Sequence, residues 1–337
     1  MKSPAKPRAK PLFDRQSQLS AVKASTPCPA QIGTETALRL QRILVPVDFS
    51  TPSVEALRFA LPLARQTGAR IDLLHVVAPF VVPLDASDFH GKWDQYQARQ
   101  MRQATARLRR LAANKLARAL RGDALVREGS PAAVITAVAG ERESDLLILS
   151  TQGHTGLKRF LLGSTAEAVV RRAPCPVLTV RPCGSDRART SPCTKPGGMR
   201  SILVPVDFSE RSRSLIQYAA AFAARFGASL VLLHVVDHID IPSRVAYMAT
   251  GLQLVVLERG IRQLQELAQR SLPPGIQAER IVRVGTPYDV IRRVASLEHT
   301  DLIIIATRTH GGLQRILLGS TAARVVRHAP CPVLVLR

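Results

Sequence analysis

The residues best suited to binding chemistry lie between a short apolar run and a helical pattern in the first half of the chain. Gly153 is followed at the tenth position by Gly163, and Ser164 and Thr165 open the helical pattern. Glycines let backbone N–H groups come close to a ligand, and the amides at a helix N-terminus attract anions. These residue types make a loop that binds an anion such as phosphate physically possible.

The same segment recurs in the second half, where residues 319–321 repeat the Gly-Ser-Thr sequence. The two copies differ ahead of it, because Thr309 stands where the first copy has Gly153. A β-branched residue is strained wherever the backbone needs a positive φ angle. We therefore expect a ligand to occupy the first half in preference to the second, whose loop is closed, reshaped or empty.

A duplicated scaffold positions these loops. RILVPVDFS at 42–50 returns as SILVPVDFSE at 201–210, and in each half short apolar runs alternate with helical patterns. This order predicts an α/β domain with a parallel sheet and helices on both faces, whose carboxyl strand ends share one edge. We expect a disordered basic tail over 1–41, domains over 42–181 and 200–337, and a linker over 182–199.

Composition narrows the possible functions. Aromatic residues make up 4% of the chain, which argues against stacking platforms for single-stranded nucleic acid. The five cysteines form no C-x-x-C pair, and no apolar run reaches the length of a membrane span. These features, with no secretory signal pattern at the N-terminus, predict a cytoplasmic protein. The net charge of +22 makes contact with polyanions physically easy.

An enzymatic role has little support in the sequence. The chain has no G-x4-G-K-[ST] motif, no G-x-G-x-x-G after its first strand, and no nucleophile-elbow spacing. We predict no catalytic residue and no protein metal site.

The motifs together resemble one family. ILVPVDFS, LHVV and a G-[ST]-P turn occur in this order in both halves, followed by G-x9-G-[ST] in the first half and by its Gly-Ser-Thr end alone in the second, an order that resembles the universal stress protein family. The resemblance implies two tandem Rossmann-like domains of the adenine nucleotide alpha hydrolase type, each with a five-stranded parallel sheet in the order 3-2-1-4-5. It also implies that the final strands of the two halves pair as a pseudo-dimer, with further homodimerisation possible.

The resemblance further implies a stress-response protein that binds ATP or another adenine nucleotide, with or without Mg²⁺, and that hydrolyses ATP at most slowly. In the first half, the family pattern falls on Pro46, Val47, Asp48, Val76, Leu149, Ser150, Gly153, Gly163, Ser164 and Thr165. The weaker second set is Pro205, Val206, Asp207, Val235, Ile305, Thr309, Gly319, Ser320 and Thr321.

Structural interpretations of the same residues remain open. Asp48 could cap the helix that starts near Ser50, and Ser164 with Glu167 fits a capping box that needs no ligand. His75 and its counterpart His234 suit buried, hydrogen-bonded positions. The chain could then be a nucleotide-independent interaction module.

A basic helix predicted over 97–121 allows a third class, a polyanion-binding protein. Nucleic acid is the less expected partner, because such a run is usually a solvated face.

Overall fold

A computed structural model describes residues 38–79, 90–153, 162–181, 198–237, 246–307 and 319–336. The predicted tail up to residue 37, most of the linker and Thr309 lie outside these ranges. In the described part of the chain, no helix combines the length and apolar character that a bilayer crossing requires.

The first half alternates strands and helices throughout. Its elements are β1 (Arg42–Pro46), α1 (Thr51–Thr67), β2 (Arg70–Val77), α2 (His90–Lys115), β3 (Arg121–Glu128), α3 (Pro131–Glu141), β4 (Leu146–Ser150), α4 (Ser164–Arg172) and β5 (Val177–Val180).

The second half repeats this series. Its elements are β6 (Ser201–Val206), α5 (Arg211–Phe226), β7 (Ser229–Val236), α6 (Ala246–Ser271), β8 (Ala278–Val284), α7 (Pro287–Leu297), β9 (Leu302–Ala306), α8 (Ser320–His328) and β10 (Val333–Leu336).

The strands form one ten-stranded sheet in the order β3-β2-β1-β4-β5-β10-β9-β6-β7-β8. Within each half, neighbouring strands are parallel and follow the predicted 3-2-1-4-5 order. The last strands, β5 and β10, meet in an antiparallel pair in which Leu178 lies opposite Leu334.

Both faces of the sheet are covered, which explains why the strands read as continuous apolar runs. Ile43 and Val45 of β1 pack in one core with α1 and α2, whereas Leu44 packs in the opposite core with α3 and α4. Cys175 and Cys331, which occupy corresponding positions of the repeated Ala-Pro-Cys-Pro-Val sequence, are buried in the core and form no disulfide.

The predicted end of the long basic helix is wrong. The helix stops at Lys115, a short 3₁₀ turn covers Arg118–Leu120, and Arg121 already belongs to β3. The guanidinium of Arg121 donates to the carbonyl oxygens of Ala113 at 3.4 Å and Leu116 at 3.1 Å. These contacts satisfy carbonyls that the end of the helix leaves unpaired, and they turn the chain into the sheet.

Packed structure begins slightly ahead of the two predicted domain starts. Leu40 and Met199, placed by sequence in the tail and the linker, are each 4% exposed. The carboxylate of Asp145 accepts the backbone N–H groups of Gln41 and Arg42, both at 2.8 Å. Asp301 holds the corresponding amides of the second half. Each carboxylate thus ties the start of a central strand to the neighbouring strand.

Candidate functional site

The carboxyl ends of β6, β7 and β9 enclose a cavity of about 740 Å³ in the second half. The first turn of α8 forms another of its walls, at Gly319, Ser320 and Thr321. Eight of the nine residues predicted for this half line the cavity, namely Pro205, Val206, Asp207, Val235, Ile305, Gly319, Ser320 and Thr321. The ninth, Thr309, lies outside the described residues.

Sequence reasoning missed one cation of this cavity, Arg211. It occupies the first helical position of α5 and is half-buried in the lining. Its guanidinium donates to the carbonyl oxygen of Thr307 at 3.3 Å. A comparison of the two repeats could have identified this residue, because Arg211 stands where the first half has Pro52.

Carboxylates line the same space. Asp207, Glu210 and Asp237 all contribute to the wall, so acids outnumber Arg211 among the described lining residues. One oxygen of Asp207 accepts the backbone N–H of Ser209 at 3.1 Å and the hydroxyl of Ser212 at 3.2 Å. These bonds fix the β6–α5 turn at the mouth of the cavity.

The histidine in the cavity wall has a structural role. The Nδ1–H of His234 donates to the carbonyl oxygen of Val206 at 3.0 Å. Burial lowers its pKa, although that hydrogen bond and the charges of Asp207 and Asp237 act in the opposite direction. His234 is therefore neutral at pH 7 and holds the end of β6, as the hydrogen-bonded interpretation predicts.

An aromatic ring supports the histidine. Phe208 has a positive φ of 59° and lies with its ring centroid 4.0 Å from that of His234. Phe49 and His75 repeat the arrangement in the first half, with φ of 63° and 4.5 Å between the rings. A left-handed backbone is uncommon for a bulky residue, so packing of the ring holds each turn in place.

The first-half residues also gather at the carboxyl edge of the sheet. Pro46 ends β1, Val76 lies near the end of β2, and Leu149 and Ser150 end β4. Asp48 is engaged in the cap of α1, because its carboxylate accepts the backbone N–H of Ser50 at 2.9 Å and also the Ser50 hydroxyl. Ser50 itself is the N-cap of α1, because its hydroxyl accepts the N–H of Ser53 at 3.3 Å, so Asp48 holds the capping residue and does not cap the helix itself.

The phosphate loop of the first half is partly closed on itself. The N–H of Gly163 donates to the carbonyl oxygen of Thr151 at 2.8 Å. A Cβ at Gly163 would lie 3.3 Å from that oxygen, and one at Gly153 would lie 3.0 Å from Oδ2 of Asp48. The glycines therefore permit close contacts within the protein, and one amide expected to face phosphate already has an acceptor.

The predicted capping box at α4 is wrong. Gly163 is the N-cap, and no side-chain cap bond forms there. The carboxylate of Glu167 instead accepts from Arg171 at 2.6 Å and from Arg327 of the second half at 3.5 Å. The carboxylate of Glu167 thus pairs with Arg171 on its own helix and with Arg327, 160 residues along the chain, instead of capping the start of α4.

This cavity lies in the second half, and the expected preference of a ligand for the first half stays a prediction. A Gly-Ser-Thr turn opens the helix in both copies, but only the second copy has Arg211 beside it. Across the described ranges, no group of three or more histidine, cysteine or acidic side chains is arranged to hold a metal ion.

Comparison with known proteins agrees with this architecture. A sequence model described as the universal stress protein family matches residues 39–181 and 198–337. A universal stress protein from Mycolicibacterium smegmatis is 28% identical over 298 residues, which cover 88% of this chain and 96% of that protein.

A solved structure has the same fold over nearly the whole chain. A universal stress protein from Archaeoglobus fulgidus aligns with a TM-score of 0.57 at 18% identity, covering 90% of this chain and 98% of that one. A universal stress protein solved in complex with cAMP is 26% identical, with a TM-score of 0.30, and covers 42% of this chain and 97% of that one. The two family matches, one in each half, show that this chain belongs to the universal stress protein family as a member with two family domains in tandem.

Proposed function

We propose that this chain is a stress-response protein that binds an adenine nucleotide in the cavity of the second half. The observation that carries the proposal is the 740 Å³ cavity lined by eight predicted nucleotide-site residues. Its volume falls within the range of small-molecule sites, which is roughly 300–1,000 Å³. The cavity also lies at the carboxyl edge of a parallel sheet, where such folds bind ligands.

The lining offers a partner for each part of a nucleotide. The half-buried Val235 and the apolar Ile305 suit an adenine ring, and the carboxylate of Asp207 suits a ribose hydroxyl. The first turn of α8 and the guanidinium of Arg211 suit the phosphates, since both present N–H donors with positive charge. Any Mg²⁺ would bind mainly to the phosphates, because Mg²⁺ keeps several waters and few protein ligands.

The first half supplies a second, weaker site in this proposal. A phosphate there competes with the carbonyl oxygen of Thr151 for the N–H of Gly163. Giving up such a hydrogen bond costs on the order of 1 kcal/mol, about a fivefold loss of affinity. The first half also has Pro52 in the place of Arg211 and so lacks that cation.

A matched pair of variants of the full chain tests the proposal. Ser320→Asp and Ser164→Asp each place a carboxylate on an exposed residue in the first turn of α8 or α4. An acid at this position suits the helix dipole, so folding is preserved while phosphate is repelled. In calorimetric titration with ATP, we expect Ser320→Asp to weaken the tighter site at least tenfold, with Ser164→Asp leaving that site unchanged.

If Ser164→Asp weakens the tighter site and Ser320→Asp leaves it unchanged, the tighter site lies in the first half. Absence of ATP binding by the unaltered chain refutes the nucleotide proposal and favours the nucleotide-independent interaction module, whose support is the self-contained Gly163–Thr151 loop.

We also propose that the two halves act together as an intrachain pseudo-dimer in solution. Beside the β5–β10 pair, the Gln66 amide donates to the carbonyl oxygen of Arg225 at 2.8 Å, and Arg225 donates back to that of Gln66. Thr179 donates to the carbonyl oxygen of Val333 at 3.1 Å. Light scattering should give the 36.7 kDa mass of one chain, whereas twice that mass would demonstrate homodimerisation.

A further inference from the structure

Helix α2 presents a row of arginines on the side that faces away from the sheet. Leu108 and Ala112 bury the opposite side of the helix. At about 100° per residue, Arg99, Arg102, Arg109 and Arg110 fall within an arc of about 100°. The exposed arginines of this helix, here called the α2 arginine face, are Arg99, Arg102, Arg107, Arg109 and Arg110.

The α2 arginine face is not neutralised nearby. The sequence contains no acidic residue from 95 to 121. Within the described part of the chain, none of these guanidinium groups forms an ion pair with a carboxylate. Arg107 lies over the ring of Phe49 at 4.2 Å, which leaves the other four directed at solvent.

The fold does not require this charge. Helix α6 of the second half has the same length of 26 residues, and its Leu264 is fully buried like Leu108. With the two helices aligned from their first residues, Arg102, Arg109 and Arg110 correspond to Glu258, Gln265 and Glu266. Since α6 packs without arginines at these positions, packing does not require Arg102, Arg109 or Arg110.

We propose that the α2 arginine face binds the phosphate backbone of a double-stranded nucleic acid without reading its sequence. Guanidinium groups pair with phosphates through two parallel hydrogen bonds. Arg99 and Arg110 are separated by about 16 Å along the helix axis, over which one duplex strand presents about five phosphates. The four arginines directed at solvent can therefore each reach a phosphate of that strand.

Other polyanions fit less well. A single-stranded nucleic acid needs several aromatic side chains for stacking, and Tyr96 is the one large exposed apolar or aromatic side chain among the described side chains of α2. A membrane-surface helix buries apolar side chains in the lipid boundary, and this arginine face offers none. The proposal is independent of the nucleotide site.

The test compares two triple variants of the full chain. Arg102→Gln, Arg109→Gln and Arg110→Gln together remove three charges from α2. Arg259→Gln, Arg262→Gln and Arg270→Gln remove three from exposed positions of α6. Fluorescence anisotropy of labelled duplex DNA and duplex RNA, titrated over a range of salt concentrations, gives the slope of log affinity against log salt. The basic tail is present in the unaltered chain and in both triple variants, so any contribution it makes to duplex binding is the same in all three proteins.

We expect the α2 triple to reduce the magnitude of the DNA slope by about 2.7, or 0.9 for each lost phosphate contact, and the α6 triple to leave it nearly unchanged. An α2 triple to lysine should restore the slope, which excludes misfolding as the cause. Equal effects of the two triples, absence of duplex binding at low salt, or tighter binding to phosphatidylserine vesicles than to duplex would each overturn the proposal. DNA and RNA titrations decide which duplex is preferred.

Discussion

Replacing Arg211 by glutamine tests how the cavity of the second half recognises its ligand. The guanidinium donates one N–H group to the carbonyl oxygen of Thr307, and the side chain is half-buried in the cavity lining. The carboxylates of Asp207, Glu210 and Asp237 line the same cavity, so the variant leaves it without that cation and with all three acids. Arg211 therefore offsets repulsion between the wall and a phosphate group.

The expected magnitude follows from these contacts. A hydrogen bond to a charged group contributes about 1.5–3 kcal/mol, which corresponds to roughly a 10- to 150-fold loss of affinity for ATP. Adenosine, which has no phosphate, should lose less than about threefold. The ratio of ATP affinity to adenosine affinity thus reports the contact of Arg211 with phosphate.

Calorimetry with both ligands on the unaltered chain and on Arg211→Gln provides the measurement. Arg213→Gln is the matched control, because it removes the same charge from an exposed position of α5 outside the cavity lining. If ATP and adenosine weaken equally, Arg211 only supports the wall through Thr307. If neither weakens, the cation does not contact the phosphates and the reasoning is refuted.

Three further predictions concern stability. Asp72→Ala should lower the free energy of unfolding by about 1–3 kcal/mol in urea, because it leaves the backbone N–H of Asp123 without its acceptor and removes one of the two carboxylates that pair with Arg142. Gly285→Ala should cost about 1–3 kcal/mol by the same assay, since φ is 147° and the new Cβ would lie 2.8 Å from a methyl of Val290. Because burial lowers the folded pKa of His234, stability should fall as pH drops below the unfolded value of about 6.5, and His234→Gln should lessen that fall.

Each of these outcomes has a clear opposite. A loss under 1 kcal/mol for Asp72→Ala would show that water replaces the carboxylate. An unchanged midpoint for Gly285→Ala would show that the turn relaxes. An identical pH profile for His234→Gln would assign the acid sensitivity to other groups.

Much of the fold could be predicted from the sequence because its determinants are local and repeated. Continuous apolar runs such as 43–45 require burial on both faces, and alternation with helices makes the sheet parallel. The duplication then predicts two such units with the same strand order. The positions of Asp207, Val235 and Gly319 at one edge follow from the same topology.

The remaining features depend on contacts between residues far apart in sequence. Glu167 fits a capping box locally, yet its carboxylate reaches Arg327 across the β5–β10 junction. The end of α2 depends on Arg121 reaching back to the carbonyl of Leu116.

The family, the two-domain repeat and the set of residues at the carboxyl edge of the sheet can be predicted from the chain alone, because periodicity and spacing are properties of its sequence. The cavity of the second half is formed by segments that lie far apart in the sequence and meet at the ends of β6, β7 and β9, so it is visible only in the folded chain. The contact of Arg211 with Thr307, 96 residues along the chain, likewise exists only after folding. The replacement of Gly153 by Thr309 in the second copy, which favoured the first half, carried no information about these contacts.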